Sequence, residues 1–268
     1  MTANSEAKTI YTISQINRLS DFEKREIYTR LIPVELIEKF NLNPYLFDKD
    51  GNDLLQLVCP ASSNSAEMKL KHKSDFIDPV LYGHITDTLT GHLHVLLYIL
   101  NDPDSPRFDV DRLPDGTSTK FGTHTRNIDA EIKALNFGLA PGQVRKGLRL
   151  LGQAIKAFER FVASLGHEMY FVEPLYYHNA VIFENYGFAY GKGRGLMERI
   201  QKGFSSGGEL MDKLDGSAPF RQPNAAKSVR LRSWALHDDI LGEPFSDVTM
   251  YKRIGKLAGI KTWIGCDW

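Results

Sequence analysis

The stretch from Gly138 to Phe188 places the tightest constraint on how this chain can fold. Within it Leu148, Leu151, Ile155, Phe158 and Val162 recur at intervals of 3, 4, 3 and 4 residues. That apolar stripe predicts a helix from Arg145 to Leu165, with Gly166 as its stop. Met169–Val172 follows as a short buried strand, and Glu173-Pro174 ends it, at the kind of edge where open α/β sheets face their ligands. Ahead of the helix lies a glycine-bearing basic turn, Pro141-Gly142-Gln143-Val144-Arg145-Lys146-Gly147. Unpaired backbone amides and the positive end of a helix dipole favour an anion there, so the turn reads as a phosphate seat.

The rest of the chain supplies a sheet. Asp21–Phe40 has helical spacing, with Ser20 or Asp21 as its cap and Pro33 as a break, and Ile10–Ile13 reads as a strand or a clamp onto a neighbour. Leu54–Cys59 and Met68–Lys73 are strand candidates. Pro79–Asp87 and His92–Asn101 form a hairpin through Leu89-Thr90-Gly91; the second strand is apolar on both faces, which predicts a central strand covered by helices on both sides. His92 and His94 share a face of that strand, but nothing beside them completes a tetrahedral ligand set, so no metal is expected.

Asn101–Thr125 is a polar insertion in which Arg107–Arg112 and Thr117–His124 can pair as a hairpin, serving as a substrate lid or as decoration. Asn127–Phe137 fits a helix better than a strand, which leaves Arg107–Arg112 or Thr117–His124 as the strand preceding the phosphate turn. Gly191-Lys192-Gly193-Arg194-Gly195 lacks nucleotide-loop spacing and reads as a turn. These elements predict an α/β (α+β) protein, a mixed and mainly antiparallel sheet flanked by helices, over residues 1–205. Residues 206–268 form an extension whose Trp234, Leu236, Ile240, Phe245, Trp263 and Trp268 carry too much apolar surface to stay in water. It is expected to pack on the main domain, as a lid, or on a second subunit, as a dimer arm.

Composition narrows the partners. Lys+Arg and Asp+Glu both number 33, which argues against nucleic acid or an anionic membrane and points to a small molecule. The two cysteines, Cys59 and Cys266, have no ligand or redox spacing, and the start MTANSEAKTI has no export signal, so a soluble cytoplasmic protein is expected.

The turn, helix, strand and closing Gly-Phe together resemble the GNAT family of acyl-CoA N-acyltransferases. Its pattern is a turn Arg/Gln-x-x-Gly-x-Gly/Ala on the CoA pyrophosphate, a helix, a splayed strand, and a helix ending in a Tyr-x-x-x-Gly-Phe-like motif. Val144-Arg145-Lys146-Gly147-Leu148-Arg149 falls on the turn, flanked by Gln143, and Phe183-Glu184-Asn185-Tyr186-Gly187-Phe188 on the closing motif. The chain departs at Val144, where the family has Arg or Gln, at Arg149, where it has Gly or Ala, and at Phe183, where it has the tyrosine that protonates the leaving thiolate.

The resemblance implies acetyl-CoA or a longer acyl-CoA as co-substrate, an amine as acceptor, and transfer by direct attack. Gln143 to Arg149 and Phe183 are its expected cofactor contacts. A base must take the amine's proton, and Glu173, then His178, are the nearest groups of the right chemistry; Tyr176, Tyr177 or Tyr186 can be the acid that Phe183 cannot be, with Tyr177 the named candidate. A catalytically inactive scaffold of this fold and a polyanion-binding protein are the alternatives.

Overall fold

The computed structural model describes residues 11–268. In chain order the elements are α1 (Ile13–Ile16), α2 (Asp21–Tyr28), α3 (Val34–Lys39), β1 (Leu55–Val58), β2 (Ser65–Leu70), β3 (Leu81–Asp87), β4 (Leu93–Leu100) and α4 (Ile128–Phe137). There follow α5 (Leu151–Ser164), β5 (Met169–Val172), α6 (Tyr177–Asn185), β6 (Ala189–Lys192), α7 (Arg194–Gly203), α8 (Glu209–Asp212), α9 (Val229–His237) and β7 (Thr249–Arg253). They divide into two compact units, each drawn from three segments of chain: residues up to 101 with 147–172 and 252–256, and residues 102–146 with 173–251 and 257–268. A boundary at 205/206 falls inside the second unit.

The first unit is α+β. Its strands β1 to β4 pair antiparallel in sequence order, and β5 adds parallel to β4, giving a mixed, mainly antiparallel sheet with helices packed on it. Burial alternates along β2 and β3, as a sheet with one covered face requires. On that face Tyr28, Leu31 and Phe158 meet Met68, Ile85 and Tyr98 around a void of only ≈ 10 Å³. The strand β4 was expected to be covered on both faces; only Leu93 is fully buried and the other seven positions are half-buried. Ser20 caps α2 in a capping box, and a 3-10 turn at Thr29–Leu31 and Pro33 separate α2 from α3, as the sequence indicates. Of the Ile10–Ile13 segment, Ile10 lies outside the described residues and Ile13 opens α1, capped by Thr12, so the part described is no strand.

Residues 102–146 leave the first unit at the end of β4 and return beside their exit. Asn101 bridges Gly147, and the Asp102 N–H, already in the second unit, donates to the Lys146 carbonyl at 2.8 Å. The strand before the turn is therefore β4, and neither Arg107–Arg112 nor Thr117–His124, which hold a single bridge, Arg112 to Ser118, and no strand. The two aspartates and two arginines in Arg107–Arg112 pair with each other instead of alternating across a ladder: Arg107 binds Asp109 and Asp111, and Arg112 meets Asp111. Asn127 caps α4 and Gly138 closes it, so the helical alternative holds.

In the second unit α4 and α9 share a core of Val110, Ala134, Leu139, Val144, Phe220 and Trp234, and β6 pairs antiparallel with β7. The extension is thus folded. Thr262 donates through both its N–H (2.9 Å) and its hydroxyl (2.6 Å) to buried Glu184 on α6, which also accepts from Tyr190 at 2.5 Å. Two arginines of the extension turn inward: Arg230 donates to the Leu135 and Leu139 carbonyls, and Arg232 is 3 % exposed, bound to Ala226 and Gln201. Among the described residues no helix is long and apolar enough to cross a membrane.

Candidate functional site

The basic turn is split between the units. Helix α5 begins at Leu151 and not at Arg145, because Arg149 takes a left-handed backbone, φ 59°, that a right-handed helix cannot contain. Gly147 is held by the bridge to Asn101 at the end of β4, with Leu148 half-buried and Arg149 exposed beside the start of α5, whose cap residue Leu150 offers no side-chain acceptor. On the second unit's side, Gln143 accepts from the Ala140 N–H and Val144 is core. Arg145 donates to the Ser105 and Pro103 carbonyls, and Lys146 lies over the Phe137 ring at 4.5 Å. Sequence periodicity missed the break because Leu148 keeps the apolar spacing across it.

Above this turn, β4 and β5 pair only from Leu93–Tyr170 to Val95–Val172. Beyond Val95 the register with β3 slips, His84 facing Leu97 and Ile85 facing Val95, so Leu96 is an extra residue in β4. A bulge of this kind bends its strand and ends regular pairing. The parallel pairing stops there, because β5 ends at Val172.

The second unit contains a cavity of ≈ 420 Å³. Its wall includes Glu173 and Tyr177, Tyr176 before α6, Ser233 and His237 on α9, and the loop around Asp239 and Phe245. Ser233 and His237 are four residues apart on a helix and so share a face. Glu173 is exposed; Tyr177, 1 % exposed, has its hydroxyl pushed up to about 12 by burial, moderated by the neighbouring Arg232 guanidinium. His178 is 2 % exposed and does not line the cavity. Phe183 packs on Phe188 at 4.9 Å.

The hydrogen bonds around His178 fix its proton. The Tyr176 N–H donates to Asn179 Oδ1, which turns Asn179 Nδ2 toward His178 Nε2 at 3.2 Å. Nε2 accepts, so Nδ1 carries the hydrogen and donates to Ser233 Oγ at 2.9 Å. Ser233 is therefore not activated by this histidine. Burial, with a smaller contribution from His237, lowers the His178 pKa from 6.5 to about 3. A folded-state value below the unfolded one means that the unfolded chain takes up the proton first as pH falls. Stability is then unaffected above pH 6.5 and declines from there toward pH 3. By pH 5 this one group should cost about 2 kcal/mol. Urea midpoints at pH 7 and pH 5 should differ less in His178→Asn than in the parent; equal differences would refute the buried neutral imidazole.

A group the sequence did not single out holds His237 of the cavity wall from behind. Glu131, on the inward face of α4 and 1 % exposed, accepts from Arg126 Nε and Nη2 at 2.8 and 2.6 Å and meets His237 Nε2 at 3.0 Å. Arg126 also binds Asp238, which binds Arg221. Burial alone would raise the Glu131 carboxyl; the hydrogen bonds and charges of His237 and Arg126 outweigh it and hold the group below its ordinary value. Tyr176 and Trp234 meet His237 edge-on at 5.4 and 5.8 Å. Gly122, at φ +85°, passes where a Cβ would sit 3.0 Å from Glu131 Oε1 and 3.1 Å from the imidazole. The partners lie 106 residues apart, beyond any local motif. No protein-family model, no curated protein and no solved structure matches this chain.

Proposed function

We propose that this protein is an N-acyltransferase of the GNAT type, moving an acyl group from acetyl-CoA or a longer acyl-CoA to an amine by direct attack. The observation that carries this reading is the end of the parallel β4/β5 pairing at Val95 and Val172, next to the Leu96 bulge, with the turn before α5 tied to the end of β4. A thioester laid where the parallel pairing ends finds backbone N–H groups to polarise its carbonyl, and its pyrophosphate finds the start of a 14-residue helix. Gly147, Leu148 and Arg149 are the residues to hold that phosphate, Arg149 through its guanidinium.

Thermal unfolding with acetyl-CoA, longer acyl-CoAs and free CoA tests the reading. A ligand bound only to the folded state at 100 times its Kd adds about 2.7 kcal/mol. The parent should shift upward and exposed Arg149→Glu should not, since the reversal places a carboxylate at the phosphate seat. Absence of a shift with every thioester would refute CoA binding. A second reading, a scaffold that binds CoA without turnover, is favoured by Phe183 and by the burial of His178 and Tyr177. Binding without release of free thiol in the presence of amines would decide for it.

A further inference from the structure

We infer that the second unit's cavity is a site for a neutral, hydroxyl-rich small molecule, a monosaccharide or cyclic polyol, one hydroxyl of which is held between Ser233 and His237. The inference stands apart from the acyltransferase reading, since every residue it uses belongs to the second unit. Ser233 and His237 both lie on the cavity wall, one helical turn apart on α9. Ser233 Oγ accepts from His178 Nδ1–H at 2.9 Å and from the His178 backbone N–H at 3.4 Å. A hydroxyl also has one hydrogen to give, and none of the described residues accepts it from Ser233. His237 presents the complement. Glu131, ionised and able only to accept, leaves the shared hydrogen on His237 Nε2, so the neutral ring keeps a lone pair on Nδ1. No described residue donates to that nitrogen. The serine is 1 % exposed and the imidazole 8 %, so a donor and an acceptor stand at the wall in a setting where polar groups are normally paired.

One ligand group answers both. A hydroxyl donates its hydrogen to Nδ1 and takes the Ser233 hydrogen on its oxygen; an ammonium donates but cannot accept, and a carboxylate accepts but cannot donate. The rest of the wall agrees with that choice. Among the described residues it carries no lysine or arginine to pair with an anion. Exposed Glu173 and Asp239 can accept from further hydroxyls, and Tyr176 and Phe245 contribute ring surface for the C–H face of a sugar. A volume of ≈ 420 Å³ falls within the range of small-molecule sites, about 300–1,000 Å³. The two contacts are also fixed in advance: Glu131, Tyr176 and Trp234 hold the imidazole, and His178 holds the serine. Little ordering remains to be done when the ligand arrives.

Titration of the full chain with myo-inositol, D-glucose and D-ribose, followed by calorimetry and on the imidazole ¹⁵N resonances of His237, tests the site. At least one of the three should bind and move the Nδ1 resonance as a hydrogen bond to its lone pair does, with Nε2 left in place. Glucose 6-phosphate and 1,4-diaminobutane should bind about tenfold more weakly, the first for want of a cation on the wall and the second for want of an acceptor. Ser233→Ala should weaken the bound polyol about tenfold. That change also strips His178 of its acceptor, so Phe245→Ala, at a half-buried ring outside both hydrogen-bond networks, serves as the second variant and should weaken binding several-fold. Failure of all three polyols to bind, or binding that leaves Nδ1 unmoved, would overturn the site. So would a diamine or sugar phosphate that binds as tightly as the polyol, or unchanged affinity in Phe245→Ala or in folded Ser233→Ala.

Discussion

Glu131→Ala is expected to lower the unfolding free energy by about 3–5 kcal/mol, the cost of removing one member of a buried ion pair. Glu131 is 1 % exposed and takes hydrogen bonds from Arg126 twice and from His237 once. Without it the partly buried guanidinium of Arg126 keeps Asp238 as its carboxylate partner and the Phe220 ring beneath it, and His237 loses the acceptor that fixes its ring. The loss should appear as a lower urea midpoint at unchanged slope. Because the folded-state pKa of Glu131 lies below its unfolded value, its contribution is present above about pH 4.5 and fades as pH falls through the folded value. Parent and variant should therefore converge in acid. A cost under about 1 kcal/mol at pH 7, the size of an exposed ion pair, would show that the network is solvated.

The second large effect is at Trp234. It is 0 % exposed, stacks on Phe220 at 5.2 Å and 23°, and donates from Nε1 to the Leu139 carbonyl at 2.8 Å. Trp234→Ala should cost about 3–5 kcal/mol through lost transfer energy and the cavity left behind. Trp234→Phe retains a ring on Phe220 but removes the donor to Leu139, so it should cost about 1–3 kcal/mol. The comparison of the two urea curves separates packing from hydrogen bonding. If alanine and phenylalanine were equally costly, the hydrogen bond and not the stacked ring would dominate.

Much of the fold was legible because it is written locally. The hairpin of β3 and β4, the short strand β5, the Ser20 capping box and the break at Pro33 each follow from a few adjacent residues whose period or conformational preference leaves little choice. The start of α5 was not, because a left-handed Arg149 leaves no mark on the apolar spacing around it. Nor was the identity of the strand before the turn, since 45 residues of another unit intervene between Asn101 and Gly147 (147 − 101 − 1). At the candidate site, Glu173 and Tyr177 were visible as polar groups following a strand, and both line the cavity. His178 carried the same signal but faces inward on Ser233, and Glu131 with His237 gave no signal because their pairing is a tertiary event.

The chain crosses between the units at 101/102, 146/147, 172/173, 251/252 and 256/257. The ribosome releases a chain from its N-terminus, and domains of contiguous sequence can fold one after another as they emerge. Here that order is closed off. The first unit waits for Lys252 to reach Glu159 and for the Ile254 N–H to reach the Glu168 carbonyl, and the second waits for Thr262 to cover Glu184. Nascent chains stopped before residue 252 should hold both units unfinished, with surface open to chaperones and proteases until Thr262 has emerged.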